Sequence, residues 1–372
     1  MRIRTLTSHN VYNYGASLQA YSLMYYLQAL GHDCKIIDYM PEYKRGRYNF
    51  WYIDPASKWY KMLKFWPLRF VVCSFLAPKR FKTYSRKKAF DKFTKEKLSL
   101  TKRYDTLSDL ENEEWNADLF IVGSDQMWNT DHATGRDAAS YLSFSPNSAK
   151  KISYAASFGM DKILSQYIEF VRNHLKSFDA ISVRESTGVT ILKDIGLNAV
   201  HVVDPVFLNN VNHWRSLLTP AIIPHQKYIL VYEFASNPLV ARFAQFVSEK
   251  TGFQIISIND FAQHRYADVN INDAGPKEFI TLISEASYFI SNSFHGTAFS
   301  IIFHTPFFVF KRKKGNVNTR MEDLLSTLHL QDRIINEEKD FCSWDSSIDF
   351  ENTDKIMSDR IAASKVFLNN QM

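Results

Sequence analysis

Cysteine is scarce in this chain: Cys34, Cys73 and Cys342 are the only three in 372 residues, far apart and without a CxxC pair. That spacing builds neither a disulfide framework nor a zinc site, and it fits a reducing compartment. Long apolar runs are missing as well. The longest, Phe65–Ala77, is broken by Pro67 and Arg69 and is shorter than the ~20 residues a spanning helix needs, so no transmembrane segment is expected. Met1–Thr7 has no apolar core of signal-peptide length, which gives the expectation of a cytoplasmic, non-secreted protein. No solenoid-period repeat and no low-complexity tract is present. The chain also lacks a GxSxG elbow, a metal-ligand cluster and a pair of carboxylates at recognisable catalytic spacing. Neither a metal nor a bound cofactor is expected.

What is present describes a soluble globular protein, with 45% apolar and 23% charged residues. A chain of 372 residues exceeds the roughly 250–300 residues of a single core, so two domains are expected. Strand-like runs alternate with helical patterns, which predicts an α/β class with mainly parallel sheets. Strands are expected near Ile3–Thr7, Cys34–Tyr39, Leu119–Val122, Lys151–Ala156, Ala180–Val183 and Val200–Val203, with helices at Ala16–Leu30 and Lys162–Lys176. Pro220 and Pro224 break this pattern, and it restarts with strands at Tyr228–Phe234, Phe253–Ile258, Tyr288–Ser291 and Phe307–Phe310. The expected division is an N-terminal lobe at 1–217, a C-terminal lobe at 226–350 and a final helix within 351–372. Two such lobes in series imply a central cleft.

The net charge of +6 is unevenly placed: Lys58–Arg103 holds fifteen Lys/Arg against Asp91 and Glu96, about +13 for this segment. Aromatic residues interleave with these charges, Trp59, Tyr60, Phe65, Trp66 and Phe70 among them. Residues 58–103 interrupt the strand and helix alternation and read as an insertion. The mixture suits an anionic lipid surface, and by composition alone it suits nucleic acid equally well. A solvated helical insertion whose aromatics pack on the domain is the plainer reading.

Four turns fall where the cleft is expected. Asn13-Tyr14-Gly15-Ala16-Ser17-Leu18-Gln19 follows the first strand and opens a helix, with Gly15 allowing close backbone approach. It lacks the three-glycine dinucleotide fingerprint. Gly123-Ser124-Asp125-Gln126-Met127-Trp128-Asn129 follows an apolar strand. There Trp128 suits stacking on a sugar, and Asp125 suits either a general base for a hydroxyl or an N-cap. Arg184 leaves a strand end, where a planar fork can grip a carboxylate or phosphate, or can simply pair with Glu185.

The fourth turn, Ser291-Asn292-Ser293-Phe294-His295-Gly296-Thr297, lies between two apolar runs and reads as a strand-to-helix turn. Such a turn aims free N–H groups and a positive helix end at an anion. His295 there is a proton donor beside the anion or a structural cap. The basic tract Lys311–Lys314 and Arg320, a cation at a helix start, add positive charge to the same region. One histidine, two arginines and two glycine turns fit group transfer from an anionic donor better than hydrolysis.

Taken together, these residues resemble the polysaccharide pyruvyl transferase family. The resemblance lies in Asn13–Gln19, Gly123–Asn129, Tyr154-Ala155-Ala156-Ser157-Phe158-Gly159, Ser182-Val183-Arg184-Glu185, Asp204-Pro205-Val206 and Ser291–Thr297, which occur in order over roughly residues 1–330. It implies two Rossmann-like lobes of the glycosyltransferase B type, with the C-terminal helix crossing back to the first lobe. It also implies phosphoenolpyruvate as donor and a sugar diol of a glycan, commonly lipid-linked, as acceptor, joined as a pyruvate ketal in exopolysaccharide or capsule biosynthesis. Carried over residue by residue, it makes His295 the general acid and Asp125 a hydroxyl base. Arg184, Arg320, Ser291, Ser293, Gly296 and Thr297 become donor-binding, and Asn13, Gly15, Gly123, Ser124 and Trp128 acceptor-binding. Relatives often have Arg-Leu-His where this chain has Ser293-Phe294-His295, so one phosphate-binding cation is missing; Arg320 or Lys311–Lys314 is the expected substitute. The resemblance favours the inner membrane face over nucleic acid as the partner of residues 58–103. A nucleotide-sugar glycosyltransferase of the same fold is the alternative enzyme, and a non-catalytic membrane or nucleic-acid binding protein the alternative of another class.

Overall fold

A computed structural model describes residues 1–44, 62, 65–82, 84–259, 263–312 and 318–372, with backbone only for 75–82 and 221. Trp59, Tyr60, Lys313 and Lys314, singled out above, lie outside the described residues. Thirteen strands are present among the described residues: β1 Arg2–Leu6, β2 Asp33–Tyr39, β3 Leu100–Tyr104, β4 Leu119–Val122, β5 Lys150–Ser153, β6 Ser182–Val183, β7 Val200–His201, β8 Tyr228–Tyr232, β9 Gln254–Ile258, β10 Val269–Ile271, β11 Tyr288–Ser291, β12 Phe307–Phe310 and β13 Ile334–Ile335.

They form two parallel sheets, ordered β3-β2-β1-β4-β5 and β10-β9-β8-β11-β12-β13. The pair β6-β7 extends the first sheet through bridges from Ile152 to Ala180 and from Ala156 to Val183. Central strands such as Leu119–Val122, Tyr228–Tyr232 and Phe307–Phe310 are buried along their whole length, as expected where helices cover both faces of a parallel sheet. Each sheet reverses its order once, at β1/β4 and at β8/β11. The crevice beyond the C-terminal ends of strands at such a reversal is where this architecture holds ligands.

Three strands escape the sequence reading. β3, β10 and β13 are edge strands of two to five residues with few buried side chains, so they carry little apolar periodicity. β3 pairs with β2 and ties the end of the basic segment into the first sheet. Its second helix, Tyr84–Lys97, buries Arg86, Phe90 and Phe93. The helix expected at Lys162–Lys176 is shorter, Ile168–Leu175, preceded by a 3-10 turn.

The lobes meet through helix Tyr14–Ala29, which is buried on almost every side and has the small residues Gly15, Ala16, Ser17, Ala20 and Ser22 where neighbours approach closely. Tyr14 stacks on Phe279 of the second lobe at 4.3 Å and donates to the Ala274 carbonyl. Trp214 packs edge-on against Phe299 at 4.8 Å. One apolar core thus runs through both lobes.

The C-terminal helix Phe350–Asn369 begins on the second lobe, where Asp354 pairs with His304, and ends on the first. There Ser364 Oγ accepts from Val203 N–H at 3.0 Å and Lys150 reaches the Gln371 carbonyl. Among the described residues no helix is long and apolar enough to cross a membrane.

Candidate functional site

The loops after β1, β4, β8 and β11 converge at the reversal points on a cavity of about 570 Å³. The first lobe lines it with Ser8, Asn13, Asp125, Gln126, His132 and Thr134. The second contributes Phe234, Ser293, His295, Arg312 and Arg320. Both lining arginines lie on the second-lobe wall, and among the described residues Asp125 is the only carboxylate on the lining, facing them from the first.

His295 stands in the first turn of helix Phe294–Phe303, whose N-cap Ser293 accepts from Gly296 N–H at 3.3 Å. A nearly apolar helix starts here because a β-strand ends in Ser291 and the Ser293 side chain satisfies one of the free N–H groups. The imidazole lies flat over Gly15: a Cβ built on that glycine falls 2.0 Å from Nδ1. Gly15 is thus the floor of the histidine site, with no room for another residue. On the other edge, Nε2 is 3.4 Å from Asp204 Oδ2, within ion-pair range but not aligned as a hydrogen bond.

Asp204 is fully enclosed and receives three groups. Arg184 Nη1 donates to its Oδ2 at 2.7 Å, Ser124 Oγ donates at 2.9 Å, and His295 faces the same oxygen. Burial alone would raise this carboxyl; His295 and Arg184 outweigh burial and hold it well below the usual carboxylate range. Burial likewise opposes the charge on Arg184, but Asp204, Asp125 and Glu185 more than compensate. Phe294 lies between two guanidinium groups, with Arg184 Cζ 5.0 Å and Arg320 Cζ 5.8 Å from its ring centre.

Arg320 and Arg312 are less well neutralised. Burial, reinforced by the charge of Arg184, brings Arg320 down to about 10, and its Nε has no hydrogen-bond partner among the described residues. Arg312 sits over the Phe234 ring at 3.9 Å and is also lowered by burial. Asn318, at the start of the helix that carries Arg320, bonds Arg312: its side chain accepts from the Arg312 N–H and donates to the Arg312 carbonyl. Buried cations short of counter-charge, beside a helix N-terminus, make a pocket for an anion.

Several sequence expectations need correction. Trp128 is no sugar platform: its indole is fully buried against Tyr141 and Phe158 and donates to the Ser140 carbonyl at 3.1 Å. Ser124 is enclosed and supports Asp204, and Gly123 packs on Thr7. Ser291 is also enclosed, donating to the Tyr232 carbonyl and accepting from Ser293 N–H. Gly296 makes room for Phe289, and Thr297 is buried in its helix. Arg184 lies behind the cavity wall, its side chain fully buried and its Nη2 3.6 Å from Asp125. Glu185 pairs with it in the interior and not at the surface: its Oε2 lies 3.8 Å from Arg184 Nε, and its Oε1 accepts from the N–H groups of Phe158 and Gly159.

Asp125, Asn13, Ser293, His295 and Arg320 do line the cavity, and Gly15 lies directly beneath His295. Asp125 adopts φ 83°, a left-handed conformation uncommon outside glycine that turns its carboxylate into the cavity. Asn13 Oδ1 caps Ala16 N–H at 3.2 Å. Arg312 stood in the sequence only as one member of a basic tract. Asp204 stood only within a motif, its single hint being an acid placed directly after the apolar Val202-Val203 and before proline.

Comparison with known proteins fits this geometry. The family model for polysaccharide pyruvyl transferase matches residues 13–314. No curated protein matches the sequence. Among solved structures, the chain is similar to a UDP-GlcNAc 2-epimerase from Neisseria meningitidis bound to UDP-GlcNAc, with 10% identity, coverage of 99% of both chains and a TM-score of 0.53. It is also similar to S. aureus MnaA in a UDP co-structure, with 11% identity, coverage of 99% of this chain and 94% of that one, and a TM-score of 0.54. At such identities the likeness concerns the fold, which is of the glycosyltransferase B type.

Proposed function

We propose, from the premise that this chain belongs to the polysaccharide pyruvyl transferase family, that it moves the pyruvyl group of phosphoenolpyruvate onto two hydroxyls of a glycan sugar. The observation that carries this reading is the polarity of the cavity. Arg312, Arg320 and the start of helix Phe294–Phe303 form an anion-binding wall with His295 beside it, and the opposite wall offers Asp125, His132 and the polar groups Ser8, Asn13, Gln126 and Thr134. Arg312 stands in for the cation that Ser293 replaces.

In this reading the carboxylate and phosphate of the donor lie against Arg312 and Arg320. His295 delivers a proton to C3, which leaves C2 electron-poor, and a sugar hydroxyl attacks C2 while Asp125 accepts its proton. The C2–O bond to phosphate breaks, phosphate leaves toward the helix N-terminus, and the second hydroxyl closes the ketal. One hydroxyl hydrogen replaces the proton given to C3, and the other leaves with inorganic phosphate. Arg184 and Ser124 hold Asp204 ionised, and Asp204 orients the imidazole.

The donor is tested by thermal unfolding. Phosphoenolpyruvate at 100 times its Kd is expected to stabilise the protein by about 2.7 kcal/mol, with no effect from UDP-sugars. Protection by a UDP-sugar and none by phosphoenolpyruvate would instead make the chain a nucleotide-sugar glycosyltransferase.

A lipid-linked acceptor at the inner face of the membrane gives the basic segment its role. Phe65, Trp66, Phe70 and Val71 are exposed at the start of helix Trp66–Lys82, in the stretch that carries about +13. The intact protein is expected to sediment with vesicles containing phosphatidylserine but not with neutral ones. Equal partitioning of a Trp66→Ser/Phe70→Ser variant would remove this role.

A further inference from the structure

A second polar cluster lies behind the cavity and takes no part in the chemistry just described. Asp323 stands one turn beyond Arg320 on helix Thr319–Thr327 of the second lobe. Two of its partners are on the first lobe. Its Oδ1 accepts from the Ser186 hydroxyl, and its Oδ2 lies 3.2 Å from His201 Nε2 and 3.4 Å from the Ser186 N–H. Ser186 follows Arg184 by two residues. His201 ends β7, and its Nε2 also lies 3.2 Å from the Arg184 carbonyl. The C-terminal helix closes the cluster, with Arg360 Nη2 2.9 Å from His201 Nδ1.

The cluster is half-buried, with side-chain exposures of 22% for His201 and 17% for Asp323 and with Ser186 at its exposed edge. Burial would raise the Asp323 carboxyl, but His201 and Ser186 outweigh it and hold it low. Exposed single pairs contribute little, whereas a half-buried carboxylate with several partners from both lobes can fix a geometry.

The helix that carries Arg320 needs such a fixture. Asn318, at its N-cap, gives no side-chain cap and bonds Arg312 instead, so local capping does not set the helix position. We infer that Asp323 is a positioning residue, an interlobe latch that sets Arg320 in register against the strand pair carrying Arg184. The inference rests on the phosphoenolpyruvate reading only for its kinetic part.

The test compares Asp323→Ala, Ser186→Ala and the double variant with the unsubstituted full chain. In the absence of ligand, hydrogen exchange in 319–327 is expected to be faster in both single variants. In turnover, the KM for phosphoenolpyruvate is expected to rise about tenfold in each, because small misplacements of a binding group are costly. The acceptor KM should stay unchanged, and the double variant should add little to either single one, as partners in one interaction do. Unchanged exchange in both single variants overturns the latch. A parallel rise in both KM values overturns the positioning role, since general loosening would do that. If the unsubstituted protein turns over no phosphoenolpyruvate, the donor reading has failed. The latch is then judged by exchange together with the Kd for inorganic phosphate, expected about tenfold weaker in Asp323→Ala and unchanged if the latch is wrong.

Discussion

His295→Ala is expected to lower turnover of phosphoenolpyruvate with its acceptor by about 10²–10⁴-fold, with protection by phosphoenolpyruvate against unfolding partly kept. The split follows from the geometry. In the proposed reading the binding charge resides on Arg312 and Arg320, whereas His295 carries the proton that goes to C3. Gly15→Ala should reproduce much of this loss without touching the imidazole's chemistry. A Cβ there would sit 2.0 Å from Nδ1, so the ring must leave its place over the turn. Steady-state kinetics of both variants check this pair. Near wild-type turnover in His295→Ala would remove the general-acid role, and an unimpaired Gly15→Ala would show that the ring position is not critical.

Asp204→Ala is the substitution expected to cost most in stability, about 3–5 kcal/mol, because it leaves the buried Arg184 guanidinium without its main partner. Urea unfolding at constant m-value measures this. The pH dependence has a definite sign. The folded-state pKa of Asp204 is depressed, so its stabilising contribution is fully present above its unfolded value of about 3.9 and disappears as pH falls toward the folded one. The stability gap between the natural protein and Asp204→Asn should therefore shrink as pH falls below that unfolded value toward the folded one. Equal unfolding midpoints at pH 7 would mean that the Arg184–Asp204 pair contributes nothing net.

Fold and cleft were legible in the sequence because parallel strands buried on both faces leave unbroken apolar runs, and the turns after them stand out as polar interruptions. Asn13–Gln19, Gly123–Asn129 and Ser291–Thr297 all lie at strand C-terminal ends on the cavity or directly behind it. Which side chain of each turn faces the ligand was not legible. Trp128 and Asp125 are three residues apart in the same polar stretch. Only the left-handed turn at Asp125 sends the carboxylate into the cavity, while the indole enters the core. The position of Arg184 behind the cavity wall, not on it, was not legible, because a three-carboxylate surround cannot be read from one strand end. Asp204 and Asp323 stayed hidden for a related reason: Ser124 and His295, two of the three partners of Asp204, lie 80 or more residues away, and the partners Ser186 and His201 of Asp323 lie in the other lobe.

Inorganic phosphate release from phosphoenolpyruvate, followed against a panel of lipid-linked sugars, tests the central claim most directly. The polarised cavity predicts release that requires both the donor and a sugar with two suitably placed free hydroxyls, abolished when either hydroxyl is blocked or when His295 is replaced by alanine. Absence of release with every acceptor, alongside consumption of a UDP-sugar by the same preparation, would contradict it.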